Sequence, residues 1–329
     1  MRKRQYTLGF LAVGLAILLI GTLGRASAMP PEQGDGTPEP TDEPPLPPSM
    51  TNFDEMVSLF DYDTDIPLDI QEIGLEDRDG VAIHDITFAN SIDNELVAAY
   101  LVVPPGDGPF AAVLYVHWLG GRSSSNRGQY LDEAITLAGQ GVVSLLIDTA
   151  WTDAETFWDK DAEHDAAVSV KQVIEIRRAL DVLIAQPQVD PERIGIVAHD
   201  FGAMYSAVAA AVDGRVKTLV LLAGTPYLSD WFVPYGGGRL SADEQPAYIE
   251  AMNRYDPIFY VSHLAPASVF FQFGELDNFV PDEKAQEFFD AASEPKQITV
   301  YADAHQMFLE DDDVDRLAWL TEQLALATE

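Results

Sequence analysis

The spacing of apolar positions along the chain changes in a way that marks out its elements. Residues 70–76, 82–89 and 96–103 alternate apolar with polar or run apolar, with Asp79-Gly80 and Asp93-Asn94 as turn residues between them. That pattern predicts an antiparallel start to a sheet. Pro104-Pro105-Gly106 closes this region. Ala111 to His117 (AAVLYVH) and Val142 to Ile147 then run apolar, as strands buried on both faces do. A helix is predicted near 127–139. A longer one is predicted over 164–186, with Val173, Ile176, Leu180 and Leu183 on one face. Asp190-Pro191-Glu192 reads as a turn into a strand over Ile194 to Ala198, followed by a small-residue helix from Ala203 to Val212. Val216 to Leu222, Ala267 to Gln272 and Gln297 to Tyr301 are further strands, with helices near 282–292 and 314–327. Strand and helix in alternation imply an α/β fold, a mostly parallel central sheet flanked by helices.

Two segments break this rhythm. Residues 224–264 are rich in aromatics (Tyr227, Trp231, Phe232, Tyr235, Tyr248, Tyr255) and contain Gly236-Gly237-Gly238. A connection that long in a compact domain is usually functional, and it reads as a short lid with Tyr227, Trp231 and Tyr235 as candidates to line a pocket. At the other end, Arg2, Lys3 and Arg4 precede an apolar run from Leu8 to Leu23 and an Ala26-Ser27-Ala28 site. Residues 1–28 therefore read as a signal peptide cut after Ala28, which makes the protein secreted or extracytoplasmic. The alternative is an uncleaved membrane anchor, for which the run is short against the roughly 20 residues a span needs. Residues 29–50 hold eight prolines among Glu, Asp, Gly and Thr and read as a disordered linker. The folded domain is expected over 51–329.

Composition narrows the function classes. The chain has no cysteine, which removes disulfides, thiolate metal sites and a cysteine nucleophile. It carries 54 acidic against 19 basic residues, a formal net charge of −35. Such a surface repels nucleic acid and anionic lipid, so no nucleic-acid partner is expected and membrane contact only through the N-terminal segment, while the aromatic lid points to a small, mostly neutral or apolar substrate. His84, His164 and His263 show no metal-ligand spacing, and no motif calls for a metal or organic cofactor. The run Glu310-Asp311-Asp312-Asp313 lacks the alternating ligands and central glycine of a calcium loop and reads as an acidic helix N-terminus.

The candidate chemistry lies at the strand ends. Ala198-His199-Asp200-Phe201-Gly202 joins a buried strand to a helix of small residues, the context of a nucleophile elbow, with Asp200 at the nucleophile position. Asp277, in FGELDNFVP, follows one strand, and His305, in YADAHQMF, follows the last. Nucleophile, acid and histidine thus come in the order Asp200, Asp277, His305. On these residues the chain resembles the α/β-hydrolase superfamily over roughly 66–327. Pro187 to Gly202 is similar to the dienelactone hydrolase and acetyl-xylan-esterase-like branch, whose elbow usually carries serine or cysteine. The His-Asp-aromatic-Gly elbow is similar to epoxide hydrolases and haloalkane dehalogenases, which use aspartate. His117-Trp118-Leu119-Gly120-Gly121 resembles the family's oxyanion loop, so the resemblance implies backbone donors from Leu119 or Trp118 together with Phe201. His199 is expected to be structural and His117 to brace that loop.

An aspartate at the elbow implies attack on a saturated carbon that bears a leaving group, or on an epoxide. The product is an alkyl ester on Asp200, which His305, oriented by Asp277, hydrolyses through an activated water. Phe201 stands where dehalogenases place a halide-binding tryptophan. An alternative is carboxylic-ester hydrolysis of the dienelactone hydrolase type, with water activated directly and Asp200 not acylated. Another is a tethered binding protein that keeps the fold and not the chemistry.

Overall fold

The computed structural model describes residues 52–78, 80–120, 126–152, 161–235 and 240–327, with Pro47 and Met50. The signal-peptide reading of 1–28 lies outside the described residues. So do the linker reading of 29–50, apart from those two residues, and Gly236-Gly237-Gly238 of the lid.

Nine strands form a single sheet: β1 (Gln71–Arg78), β2 (Val81–Ala89), β3 (Leu96–Val103), β4 (Phe110–Val116), β5 (Val142–Ile147), β6 (Val189–His199), β7 (Thr218–Leu222), β8 (Ser268–Gly274) and β9 (Lys296–Tyr301). Their order is β1-β2-β3-β5-β4-β6-β7-β8-β9. β1, β2 and β3 are antiparallel, as the alternating start of the sequence predicts, and β3 pairs antiparallel with β5. All remaining pairings are parallel. The central strands β5, β7 and β8 are buried along their whole length, which explains their unbroken apolar runs.

The described helices are α1 (Phe53–Ser58), α2 (Leu131–Ala138), α3 (Ala162–Ile184), α4 (Phe201–Asp213), α5 (Ser229–Tyr235), α6 (Gln245–Met252), α7 (Asp282–Ala291) and α8 (Glu310–Gln323). One face of the sheet packs against α3, α4 and the 224–264 segment, the other against α2 and α8. Val173, Ile176, Leu180 and Leu183 form the buried stripe of α3, as their spacing predicts. Among the described residues no helix is long and apolar enough to cross a membrane.

Several boundaries differ from the sequence expectation for local reasons. β6 begins at Val189 because Asp190-Pro191-Glu192 is taken into the strand as an irregularity in its pairing with β4 rather than forming a separate turn. Glu310 to Asp313 form the first turn of α8, as their reading as an acidic helix N-terminus predicts, and the helix ends at Gln323 rather than near 327. The lid segment is not a loose loop. It holds α5 and α6, and Tyr248 of α6 donates a 2.6 Å hydrogen bond to the buried carboxylate of Asp165 in α3.

Candidate active site

The loops after β4, β6, β8 and β9 meet at the C-terminal ends of parallel strands, where open α/β sheets place their ligands. Asp200 sits between β6 and α4 with φ 56 and ψ −118, a backbone conformation an L-residue adopts only under constraint. The constraint is visible on both sides. Asp200 N–H donates to the Leu222 carbonyl of β7 at 2.8 Å, and the Asp200 carbonyl accepts from Met204 N–H to start α4. The turn needs a glycine at Gly202, where an added Cβ would lie 2.4 Å from the Val116 carbonyl oxygen and 2.7 Å from that of His117. Gly202→Ala is expected to cost on the order of 1–3 kcal/mol as the end of β4 gives way, read from the shift in a urea denaturation midpoint.

The three predicted residues come together. His305 Nδ1 donates to Asp277 Oδ2 at 2.8 Å, while Asp277 Oδ1 accepts from the backbone N–H groups of Phe279 (2.7 Å) and Val280 (3.1 Å). Asp277 is therefore fixed, and it fixes the ring of His305. His305 Nε2 faces Asp200 Oδ1 at 3.8 Å, an ion pair too long for a direct hydrogen bond. Asp200 Oδ2 accepts from Leu119 N–H at 3.0 Å, and the Phe201 N–H also favours the charged form of the Asp200 carboxylate. Among the described residues Oδ1 has no hydrogen-bond partner.

Burial shapes the charges. Asp200 is 2% exposed, and burial raises its pKa against the pull of His305 and the two backbone donors. Burial opposes a charge on His305, but the Asp277 hydrogen bond and the attraction of the Asp200 and Asp277 carboxylates outweigh it and raise its pKa to about 9. Two carboxylates thus flank one imidazole, and the proton rests on the imidazole at neutral pH.

The oxyanion expectation divides. Leu119 donates its N–H to the Asp200 carboxylate, and the Phe201 N–H favours the charge on the same group. Trp118 does not, because its N–H donates to Gln129 Oε1 at 3.0 Å. His117 braces this loop as expected. Its Nδ1 donates to the Trp118 carbonyl at 2.7 Å, and its Nε2 accepts from Thr149 Oγ1 at 2.9 Å. With burial its pKa falls to about 4, so the ring stays neutral. Asp148 accepts from Arg127 N–H at 2.8 Å and so caps that turn.

The three lid candidates also divide. The Trp231 ring lies 5.5 Å from that of His305 and 5.5 Å from that of Phe201, and Tyr235 lies 5.4 Å from Trp231. Tyr227 turns away. Its hydroxyl donates to Glu287 Oε1 at 2.7 Å and Lys284 sits over its ring, so α7 captures it. The sequence reading missed Phe279, which lies 5.0 Å from His305 and stacks on Trp231 at 5.3 Å. It also missed Phe308, exposed and 5.6 Å from Trp118. Neither sits in a periodic pattern, and only proximity to Asp277 and His305 in the chain could have drawn attention to them. Among the described residues no three His, Asp or Glu side chains form a group that could hold a metal ion.

Comparison with known proteins places these observations in a family context. The dienelactone hydrolase family matches residues 97–322. A polyketide transferase of Stachybotrys chlorohalonatus is 32% identical over 114 residues, 33% of this chain and 36% of that protein. YtaP of Bacillus subtilis is 22% identical over 177 residues, 47% of this chain and 56% of that protein. The chain therefore spans between about a third and somewhat over half the length of these two relatives. Among solved structures, an acetyl xylan esterase from a Paenibacillus species superposes with a TM-score of 0.66 at 18% identity, over 82% of this chain and 93% of that one. Acetyl xylan esterase 1 from a Thermoanaerobacterium species gives a TM-score of 0.64 at 16% identity, over 84% and 95%. At such identities these structures show a shared fold.

Proposed function

The chain belongs to the dienelactone hydrolase family, and from that premise we propose that it hydrolyses a carboxylic ester, with His305 activating water and Asp200 not acylated. The observation that carries this reading is the Leu119 N–H held on Asp200 Oδ2 at the elbow, with the Phe201 N–H favouring the same carboxylate, beside a histidine held by Asp277. A carbonyl substrate needs two such donors for its developing oxyanion and one base for the incoming water. In the structure Asp200 Oδ2 takes the Leu119 donor. In turnover the Asp200 side chain yields the two N–H groups to the ester carbonyl oxygen.

His305 Nε2 then removes a proton from water as the water oxygen bonds to the carbonyl carbon. The tetrahedral intermediate collapses with loss of the alkoxide, which takes that proton from His305. Direct attack by Asp200 on an ester would instead give an anhydride, a high-energy product, so water is the nucleophile. Trp231 and Phe279 offer the substrate an apolar wall, and the acidic surface disfavours anions at long range. The substrate is accordingly small and neutral.

A second reading is favoured by one observation, the posture of Asp200. With Oδ2 held by the Leu119 N–H and Oδ1 turned toward His305 without a hydrogen bond, the carboxylate is set to attack a saturated carbon. The carbon–halogen or epoxide C–O bond would break with its electron pair leaving on the halide or oxygen, and an alkyl ester would form on Asp200. Turnover of a panel of aryl esters, epoxides and haloalkanes in 18O-water, followed by mass spectrometry of the Asp200 peptide, separates the two. Ester turnover with no heavy oxygen in Asp200, retained in Asp200→Asn with the amide verified intact, is the expected result. Heavy oxygen entering Asp200 only during turnover would replace the ester reading with the alkyl-enzyme one.

A further inference from the structure

The oxyanion donor, the elbow and the histidine stand on three separate loops, yet an unbroken chain of hydrogen bonds joins all three. Trp118 N–H, one residue before the donor Leu119, reaches Gln129 Oε1 at 3.0 Å. Gln129 Nε2 lies 3.0 Å from His199 Nδ1, and His199, one residue before Asp200, places its Nε2 2.8 Å from the His305 carbonyl oxygen. A peptide N–H only donates and a carbonyl only accepts, so the two ends of the chain fix every proton between them. Gln129 must turn its oxygen to Trp118 and its amide nitrogen to His199. His199 must then accept at Nδ1 and carry its single proton on Nε2.

The surroundings agree with this assignment. His199 is 1% exposed. Burial first, then the neighbouring charges of His305 and Arg316, push its pKa well below the ordinary value, and the hydrogen bond to the His305 backbone only partly offsets them. The ring therefore stays neutral, as a single-proton chain requires. The Trp118 ring stands edge-on to it at 4.8 Å, which also holds its plane.

We propose that Gln129 and His199 are positioning residues that set the spacing between the Leu119 oxyanion donor and His305, by way of a neutral His199 protonated on Nε2. A displacement of the Trp118 peptide moves the next N–H, that of Leu119, and the His305 carbonyl is covalently tied to the ring that must reach the water. Small misplacements of groups at a reacting centre cost on the order of a hundredfold in rate. This inference rests on the roles proposed for Leu119 and His305, but its first readout does not depend on any substrate.

The test is the histidine side-chain 1H–15N spectrum of the whole protein, recorded with kinetics on an aryl ester. The wild-type protein is expected to show His199 with a protonated Nε2 and a bare Nδ1. In Gln129→Glu one carboxylate oxygen still accepts from Trp118 while the other faces Nδ1. That oxygen draws a proton onto the ring, and both nitrogens shift into the protonated range while the chain's geometry and most of the rate are kept. Gln129→Leu breaks both bonds, and kcat is expected to fall on the order of tenfold to a hundredfold with KM little changed and cooperative unfolding preserved. A wild-type His199 protonated on Nδ1, or a Gln129→Glu protein whose His199 stays neutral, overturns the chain as assigned. An unchanged kcat in Gln129→Leu overturns the positioning role. The spectra decide the chain whether or not an ester is turned over, so a failure of the ester reading is seen separately.

Discussion

Ester turnover by the proposed route is expected to rise about tenfold per pH unit from pH 7 and to level off near pH 9, because that route takes His305 as the water-activating base and the His305 pKa is raised to about 9. The sign follows from which form is active. A general base must be unprotonated, and at pH 7 only about 1% of a group with that pKa is. The plateau is thus on the order of a hundredfold above the rate at neutral pH. The cause also predicts its own control. Asp200 and Asp277 both favour the imidazolium, against burial, so Asp200→Asn removes one of them and the inflection moves to lower pH. The alkyl-enzyme route makes the opposite prediction. There Asp200 attacks as a carboxylate while His305 is protonated. Alkylation then removes the Asp200 charge, which lowers the His305 pKa just when a base is needed. A rate for ester that is flat or falling between pH 7 and 9 counts against direct water activation.

The elbow was legible in the sequence because its constraints are local. A buried strand, a tight turn and a helix packed against the end of β4 demand small residues at Ala198 and Gly202, and only their spacing has to be read. Asp277 and His305 could be placed because each lies three or four residues beyond a strand predicted from its sequence, at the C-terminal end of the parallel strands. What could not be read was the competition for hydrogen bonds. Which of the Trp118 and Leu119 N–H groups faces Asp200 depends on Gln129, which lies on another loop and carries no motif. The same holds for Tyr227, whose direction is decided by Glu287 and Lys284 on α7. An aromatic in a lid segment marks a possible wall, and long-range polar partners decide whether it faces the site.

Arg316 is the residue whose loss is expected to cost the most stability. It is a residue of α8, 2% exposed, and its guanidinium reaches Gln272 of β8 and Glu133 of α2. Its Nε and Nη2 donate to Glu133 Oε2 at 3.0 and 2.7 Å, and its Nη1 donates to Gln272 Oε1 at 3.1 Å. Asp312, fully buried and with both carboxylate oxygens lacking a hydrogen bond, has Arg316 Nη1 3.8 Å away. Removing one partner of a buried pair leaves the other charge uncompensated, and Arg316→Met is expected to cost about 3–5 kcal/mol in urea denaturation. The deficit should depend on pH. Burial raises the Asp312 pKa to about 7 while Arg316 pulls it down, so the folded protein holds that proton more tightly than the unfolded chain. Stability therefore falls as pH rises from the ordinary carboxylate range toward 7. Without Arg316 the folded pKa moves higher still and the fall continues above 7, so the deficit should be larger at pH 8 than at pH 6. Equal deficits at the two pH values would mean that Arg316 does not act on the Asp312 charge. A cost below about 1 kcal/mol would place the Glu133 pair among solvated surface contacts.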